Sequence, residues 1–249
     1  MDPHGRMPFG LPLSVRGADA RIELEAAAVL SRACGALALA APLPVPIDDW
    51  IETPLGYDFS IVGDGVLPDG AVGLARPSLN EIVVHESALA HEGRYRFTCA
   101  HELGHCVLHQ HVSKELSDGE LPRDSTKSTI EREADRFAAA LLMPLDTIAS
   151  QLSRSMSAHA LGEHSIEVLR GDDVRAVWAW RRCLVPMLAE AYQVSRAAMV
   201  YRLRELRLPG ARRLVRPSLV PLLAAPERIL RHVPLDHVRV EAGVPVVDL

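Results

Sequence analysis

The chain has 249 residues, which suits one large domain or a catalytic domain with a small appendage. Apolar residues make up 48% of the chain and aromatic residues 4%, so we expect a core of Leu, Ala and Val, and the net charge of −5 indicates no particular partner. The four cysteines are scattered, without a Cys-x-x-Cys pair, which argues against a disulfide framework. Neither a secretory signal nor a membrane-spanning run is recognisable, so we expect a soluble, cytoplasmic protein.

The first part of the chain is predicted to contain an arm, a helix and a small antiparallel sheet. Residues 1–17 are rich in Gly, Pro and Arg and are expected to be flexible, and residues 18–40 have helical spacing up to Pro42. Short runs of β-type composition follow, and turn residues separate them. The runs lie at residues 58–62, 71–75 and 81–85.

Helices are predicted for most of the remaining chain. Residues 95–112 and 128–142 have strong helical patterns, and so do residues 174–208. Over residues 174–216 there are ten arginines against two glutamates on an otherwise acidic chain, which indicates an acidic partner, a nucleic acid or an intramolecular contact. The tail is rich in proline and is unassigned apart from a predicted strand at 238–240.

The helix predicted over residues 95–112 contains the run His101-Glu102-Leu103-Gly104-His105. Residues four apart lie on one face of a helix, so both histidines can point at one ion, and neutral imidazole suits zinc. Glu102 can take a proton from a water molecule and pass it to a leaving amine. Gly104 is expected to leave room beside the histidines for a substrate backbone. The pattern therefore predicts a zinc peptidase.

Two later histidines are weaker candidates for a third ligand. His111 has the spacing of the metzincin pattern, but Leu108 occupies the position where that pattern needs a helix-breaking glycine. On a continuing helix His111 points away from His105. His109 lies a further turn along, out of reach of an ion held by two ligands. Both are expected to lie at a solvated helix end.

A stronger candidate for the third ligand lies on the next predicted helix. Glu131 and Asp135 are one turn apart on one face, and that helix can pack antiparallel to the helix of the motif. Glu131 is predicted to be the ligand, and Asp135 to accept the far N–H of a ligating histidine. Glu133 points elsewhere and is expected to be solvated, with the alternative that it replaces Glu131 as the ligand.

These residues resemble the ImmA/IrrE family of metallo-endopeptidases. Residues 96–105 with Leu108 and His109 are similar to the core motif of that family, and residues 131–144 are similar to its second motif. The resemblance implies a zincin-like fold and one zinc ion per chain, bound by His101, His105 and Glu131, with Glu102 as the base. It also implies a protein substrate, typically a helix-turn-helix repressor that is cut to release a stress, phage or mobile-element response.

The resemblance also suggests how the chain is divided into domains. After the flexible arm of residues 1–17, a zincin-like peptidase domain is expected at 18–150 and a helical, helix-turn-helix-like segment at 151–209. The segment is expected to pack on the peptidase domain or to be linked to it. Residues 210–249 are an unassigned proline-rich tail. The overall fold class is α+β.

The rival hypothesis is a DNA-binding regulator that keeps zinc for structure or sensing. Ser195 can cap the second helix of a helix-turn-helix, although Gln193 stands where glycine is usual. Four arginines could meet phosphates: Arg196, Arg202, Arg204 and Arg207. Because these arginines are scattered around the helix, we expect weak or no specific DNA binding, and contact with protein instead.

Two further features of a peptidase site are expected from the sequence. An oxyanion donor is needed, and the candidates are Tyr201, Tyr192 and His164. An exposed edge strand above the zinc helix could take an extended substrate by backbone hydrogen bonds. That strand is predicted to consist of Glu81, Ile82, Val83, Val84 and His85.

Overall fold

The computed structural model describes residues 12–37, 42–111, 116–117, 125–161, 165–225, 235–242 and 244–247. These residues form two compact units. The motif unit comprises the described part of residues 17–144 together with Tyr192–Val194. The C-terminal unit comprises the described parts of residues 1–16, 145–191 and 195–249. Among the helices described, none has the length and hydropathy needed to cross a bilayer. The domain boundaries expected from the sequence stay predictions beside these units.

The helices of the motif unit pack on one another through apolar faces. They are α1 (Gly17–Leu37), α2 (Ile47–Trp50), α3 (Glu92–Leu108) and α4 (Ser125–Leu142). Helix α3 packs against α4, and α4 also packs against α1. The buried side chains of α1 recur at helical spacing, which gives it one apolar face: Ile22, Ala26, Val29, Leu30 and Ala33. Helix α3 is buried along most of its length, so it forms the centre of this unit.

A small sheet packs against helix α3. Its strands within the described residues are β1 (Asp58–Val62), β2 (Gly73–Arg76), β3 (Glu81–His85) and β4 (Leu116–Ser117), in the order β1-β3-β2-β4. Strand β2 is antiparallel to β3, as the sequence predicts, and also to β4, a strand that the sequence did not predict. Strand β1 runs parallel to β3 instead. Asn80 has a φ of 52° in the turn before β3, a left-handed conformation that Asn tolerates better than most residues.

The prediction that β3 is an edge strand is wrong. Strand β3 pairs with β1 on one side and with β2 on the other, so Glu81, Ile82, Val83, Val84 and His85 form an interior strand. Three consecutive apolar residues at its centre are buried, a pattern typical of a strand covered on both faces. Its backbone groups already bind two neighbouring strands and cannot take a substrate strand. In the described part of the sheet, β1 and β4 are the outer strands.

One arginine connects distant parts of the motif unit. Arg96, at the start of α3, is only 3% exposed, and its guanidinium donates hydrogen bonds to three backbone carbonyls. Nη1 lies 3.2 Å from the carbonyl oxygen of Tyr192 and 3.3 Å from that of Gln193, and Nη2 donates to the carbonyl of Val45. The turn at residues 192–194 is therefore attached to the motif unit, with Tyr192 and Val194 buried and Gln193 exposed.

The C-terminal unit is mainly helical. Its helices are α5 (Leu145–Ala158), α6 (Ser165–Leu169), α7 (Val174–Trp178), α8 (Val185–Tyr192, whose last residue lies in the motif unit), α9 (Arg196–Glu205) and α10 (Val220–Ala224). A π-helical segment, Ala179–Leu184, joins α7 to α8. Within it, the fully buried Trp180 donates its indole N–H to the carbonyl oxygen of Leu169 at 2.8 Å.

Two short hairpins complete the C-terminal unit. Strand β5 (Arg207–Leu208) pairs with β6 (Arg212–Arg213), and β7 (Val238–Glu241) pairs with β8 (Val244–Val247). Strand β7 includes the strand predicted at 238–240. Ser14 exchanges two backbone hydrogen bonds with Arg207, at 3.0 and 2.8 Å, so the arm expected to be flexible is fixed at this point.

The basic segment is helical as predicted up to Glu205, whereas Arg207 and Leu208 form strand β5 instead of the predicted end of the helix. Two of its arginines are internal. Arg202 is 1% exposed and Arg207 is 7% exposed, so the interpretation that these two could meet phosphates is wrong. Arg202 lies one turn from Met199 on α9, and both side chains are buried in the C-terminal unit. Arg196 is exposed, and the guanidinium of Arg204 lies over the ring of Tyr201 at 4.7 Å.

Candidate metal centre

Three side chains of the motif unit converge on one point. His101 and His105 lie one turn apart on α3, and Glu131 reaches them from α4. The two Nε2 atoms are 3.1 Å apart, and carboxylate oxygens of Glu131 lie 3.2 Å from His101 Nε2 and 3.4 Å from His105 Nε2. In the described part of the chain, this is the group of His, Cys, Asp and Glu side chains arranged to hold a metal ion.

The donor atoms of this group fit a zinc ion. Tetrahedral zinc with bonds of about 2.0–2.1 Å places its ligand atoms roughly 3.3 Å apart. The two Nε2 atoms are 3.1 Å apart, close to that value, and each of them has one oxygen of Glu131 at a similar distance: Oε2 lies 3.2 Å from His101 and Oε1 lies 3.4 Å from His105. Two imidazole nitrogens and one carboxylate oxygen are a common ligand set for catalytic zinc, which leaves its fourth position to water or substrate. These residues could therefore hold one such ion.

Gly104 allows α4 to approach the two histidines. A Cβ atom at Gly104 would lie 3.0 and 3.2 Å from atoms of Phe137 and 3.3 Å from the Cα of Ala134, all on α4. Such close contact brings Glu131, one turn before Ala134, to the histidines. The expectation that Gly104 leaves room for a substrate backbone is wrong, because α4 occupies that space.

The pKa of Glu131 matches a ligating carboxylate. Burial alone would raise it, but hydrogen bonds and charge interactions with His101 and His105 outweigh burial and lower the pKa to about 2. The group is therefore ionised at neutral pH, the form in which a carboxylate binds a cation.

Each histidine of the group contacts a second residue through its Nδ1 atom. His101 Nδ1 lies 3.0 Å from a carboxylate oxygen of Asp135, the arrangement that the sequence predicts for this pair. His105 Nδ1 lies 3.1 Å from Nδ1 of His109. The other ring nitrogen of His109 lies 3.1 Å from a carboxylate oxygen of Glu133. The role of Asp135 as a support of His101 stays a prediction.

The expectation that His109 lies at a solvated helix end is wrong. His109 is 2% exposed, whereas His111 is exposed as expected. Burial lowers the pKa of His109, although the hydrogen bond that its ring makes to the carboxylate of Glu133 opposes this effect. Glu133 is partly exposed and contacts His109, and it lies outside the converging group. Sequence reasoning missed the contact between His105 and His109, although their spacing of four residues on one helix was a signal for it.

Glu102 lies on α3 beside the converging group and is fully buried. Strand β2 packs directly on it. A Cβ atom at Gly73 would lie 2.1 Å from Oε1 of Glu102 and 2.7 Å from its Cδ. Only a residue without a side chain leaves room for the carboxylate here, and sequence reasoning did not single out Gly73. Its importance depends on a contact between strand and helix, which no local pattern reports.

The three oxyanion candidates have different positions. Tyr192 is fully buried, and its backbone carbonyl accepts a hydrogen bond from Arg96. Tyr201 is 49% exposed on α9 of the C-terminal unit. His164 lies outside the described residues. An oxyanion role for any of the three stays a prediction.

Comparison with known proteins identifies the class of protein. The model of the IrrE N-terminal-like domain family (Peptidase_M78) matches residues 72–204, more than half of the chain, and this region contains the whole converging group. The match, together with a helix-rich α+β fold, identifies a member of a peptidase family with a site compatible with a metal ion. The chain belongs to the IrrE N-terminal-like domain family.

Other comparisons add little to this assignment. No curated protein matches the chain. Among solved structures, a Mycobacterium tuberculosis transcriptional regulator matches with 19% sequence identity and a TM-score of 0.41. The match covers 78% of this chain and 48% of the regulator, so the chain spans about half of the length of that protein.

Proposed function

We propose that this protein is a zinc-dependent endopeptidase, with zinc held by His101, His105 and Glu131. The observation that supports the proposal is the convergence of donor atoms from α3 and α4, at separations of 3.1, 3.2 and 3.4 Å, with Glu102 next to His101 on α3. A structural zinc site is usually closed by four protein ligands, whereas three ligands leave a position for chemistry. A structural site also has no use for a buried carboxylate next to a ligand.

Zinc at this site would supply Lewis acidity to polarise the scissile carbonyl and to lower the pKa of the attacking water. The carboxylate of Glu102 accepts a proton from that water as it attacks the carbonyl carbon. It then delivers the proton to the amine nitrogen as the peptide bond breaks. The full burial of Glu102 keeps its carboxylate away from bulk solvent, which favours proton transfer within the site.

We propose further that the substrate is a helix-turn-helix repressor, cut to switch on a stress, phage or mobile-element response in the cytoplasm. Family membership supports a protein substrate, and the resemblance of both motifs to ImmA/IrrE peptidases supports the repressor. All four cysteines are free thiols, which suits a reducing compartment.

The alternative is a DNA-binding regulator that keeps zinc for structure or sensing. The turn between α8 and α9 favours it, because Gln193 has a φ of 50° there and the Ser195 hydroxyl caps α9 by accepting the N–H of Ala198 at 3.1 Å. The burial of Arg202 and Arg207 argues against it, because they cannot reach phosphates. We therefore expect weak or no specific DNA binding.

Glu102→Gln tests the proposed chemistry. The protein is incubated with a candidate helix-turn-helix repressor, cleavage is followed by mass spectrometry, and zinc is measured on the same samples. The variant should keep one zinc per chain, because all three ligands remain, and should lose about 10²–10⁴-fold in cleavage rate. His111→Gln, an exposed neighbour, serves as the control and should behave as wild type. Cleavage at the wild-type rate by Glu102→Gln would exclude Glu102 as the base.

Glu131→Ala tests the ligand assignment on the same samples. Its zinc content should fall well below one per chain, because two histidines alone hold zinc weakly. If Glu131→Ala keeps full zinc while Glu133→Ala loses it, the third ligand is Glu133.

A further inference from the structure

A buried chain of polar contacts runs from His105 to the surface of the motif unit. The Nε2 atom of His105 faces His101 and Glu131, and its Nδ1 atom lies 3.1 Å from Nδ1 of His109. On the opposite side of the His109 ring, Nε2 lies 3.1 Å from Oε2 of Glu133. The side chains of His105 and His109 are 1% and 3% exposed, whereas that of Glu133 is 29% exposed. The chain therefore begins in the interior and ends at a partly hydrated carboxylate.

The chemistry of the imidazole ring allows only one direction of donation along this series of hydrogen bonds. A neutral histidine carries a single N–H, and a nitrogen that binds a metal cannot carry it. If His105 binds through Nε2, its proton lies on Nδ1 and is donated to His109. His109 must then accept at Nδ1, so its own proton lies on Nε2 and is donated to Glu133. Each bond in the chain has one donor and one acceptor only in this arrangement.

His109 cannot be a further ligand of the same ion. Its Nδ1 atom faces Nδ1 of His105, the ring edge of His105 that points away from the converging donor atoms. Its Nε2 atom is directed at Glu133, which lies outside the group. His109 therefore contacts His105 through Nδ1, on the side of the ring away from the metal site.

We propose that His109 and Glu133 are positioning residues, which hold His105 in the Nδ1–H form and in the ring orientation that zinc binding through Nε2 requires. The proposal rests on the proposed zinc site. His101 receives similar support from Asp135, whose side chain is 58% exposed and which water could replace. His105 lies in the interior, where water is no substitute, so its Nδ1–H depends on His109. Loss of such a partner typically costs about 10–100-fold in metal affinity.

The test measures the zinc dissociation constant by competition with a chromophoric chelator. His109→Phe removes the acceptor while it fills a similar volume, and its affinity for zinc should fall about 10–100-fold. Glu133→Leu should weaken binding in the same direction, and Glu133→Gln should restore most of it, because the amide oxygen can still accept the N–H of His109. His111→Phe, two residues from His109 and exposed, should leave the affinity unchanged.

A second measurement does not require any variant to fold. In the zinc-loaded wild-type protein, ¹⁵N NMR of the imidazole rings should show the proton of His105 on Nδ1 and that of His109 on Nε2. A His109 proton on Nδ1 would overturn the inference, and so would an unchanged affinity in His109→Phe beside tight wild-type binding. Wild-type protein that binds no zinc would instead overturn the proposed function, and this inference with it.

Discussion

Replacing Gly73 with alanine would add one methyl group against the carboxylate of Glu102. The new Cβ atom would lie 2.1 Å from Oε1, 2.7 Å from Cδ and 2.9 Å from Cγ, whereas ordinary contacts begin at 3.4 Å. The carboxylate must therefore move by about 1 Å or more, since it is the flexible partner in the contact. Gly73 does not have a positive φ, so alanine meets no backbone strain there and the effect is purely steric.

The expected result is a loss of catalysis without a loss of metal. A misplacement of about 1 Å can cost roughly 10²-fold in rate, and complete loss of a general base about 10²–10⁴-fold. The value of kcat/KM should thus fall by about 10²-fold or more, while zinc content and the thermal midpoint stay close to wild type. The assay follows repressor cleavage, zinc content and unfolding on one preparation. Gly63→Ala is the matched control, because its Cβ would lie 3.5 Å from Glu86, an ordinary contact.

Two results would refute this reasoning. Cleavage by Gly73→Ala at the rate of Gly63→Ala would mean that strand β2 does not determine where the carboxylate of Glu102 lies. Simultaneous loss of zinc and cleavage would mean that the strand or the helix moved instead of the side chain.

Three further predictions concern stability and are checked by urea unfolding. Asp173 caps α7 by accepting the N–H of Ala176 at 3.1 Å, so Asp173→Ala should cost about 1 kcal/mol at pH 7. Burial would raise the pKa of Asp173, but this hydrogen bond and Arg175 outweigh burial and lower the pKa below 3.8. The loss of stability in Asp173→Ala should therefore shrink as the pH falls below 3.8, because the folded carboxylate then takes up a proton. Arg202→Glu should cost about 3–5 kcal/mol, because it places a carboxylate in a buried site, whereas the exposed Arg196→Glu should stay within about 0.5 kcal/mol. Val83→Pro removes an N–H from a strand that is paired on both sides, so it should unfold the motif unit and abolish zinc binding. A folded Val83→Pro variant would contradict the interior position of β3.

Local patterns predicted the parts of the fold that depend on residues close in sequence. Strands β1 and β3 have the predicted bounds, and the helix with His101 and His105 is present because spacing of three and four residues defines a helix face. Helix α3 ends at Leu108, short of the predicted end at residue 112. The position of Glu131 beside the histidines was predicted from the spacing of Glu131 and Asp135 on the next helix.

Features that depend on distant contacts could not be predicted in the same way. The order of strands is one of them, since the apolar run within β3 does not reveal that β1 pairs along its second side. The burial of His109 is another, because it depends on how closely α4 approaches α3. The contact between Gly73 and Glu102 joins residues that no sequence motif connects.

The hydrogen bonds of Arg96 bear on the order in which the chain can fold. The chain leaves the motif unit after Pro144 and returns to it at Tyr192, where the carbonyl groups of residues 192 and 193 accept from the buried guanidinium. During synthesis, the helix that carries both histidines is complete long before those acceptors emerge. A fragment that stops near residue 150 would leave this guanidinium without three of its acceptors, the two backbone carbonyls and the side-chain Oε1 of Gln193. The cost would be that of a buried charge whose hydrogen bonds are incomplete. The motif unit therefore reaches its final packing only after the ribosome has passed residue 194.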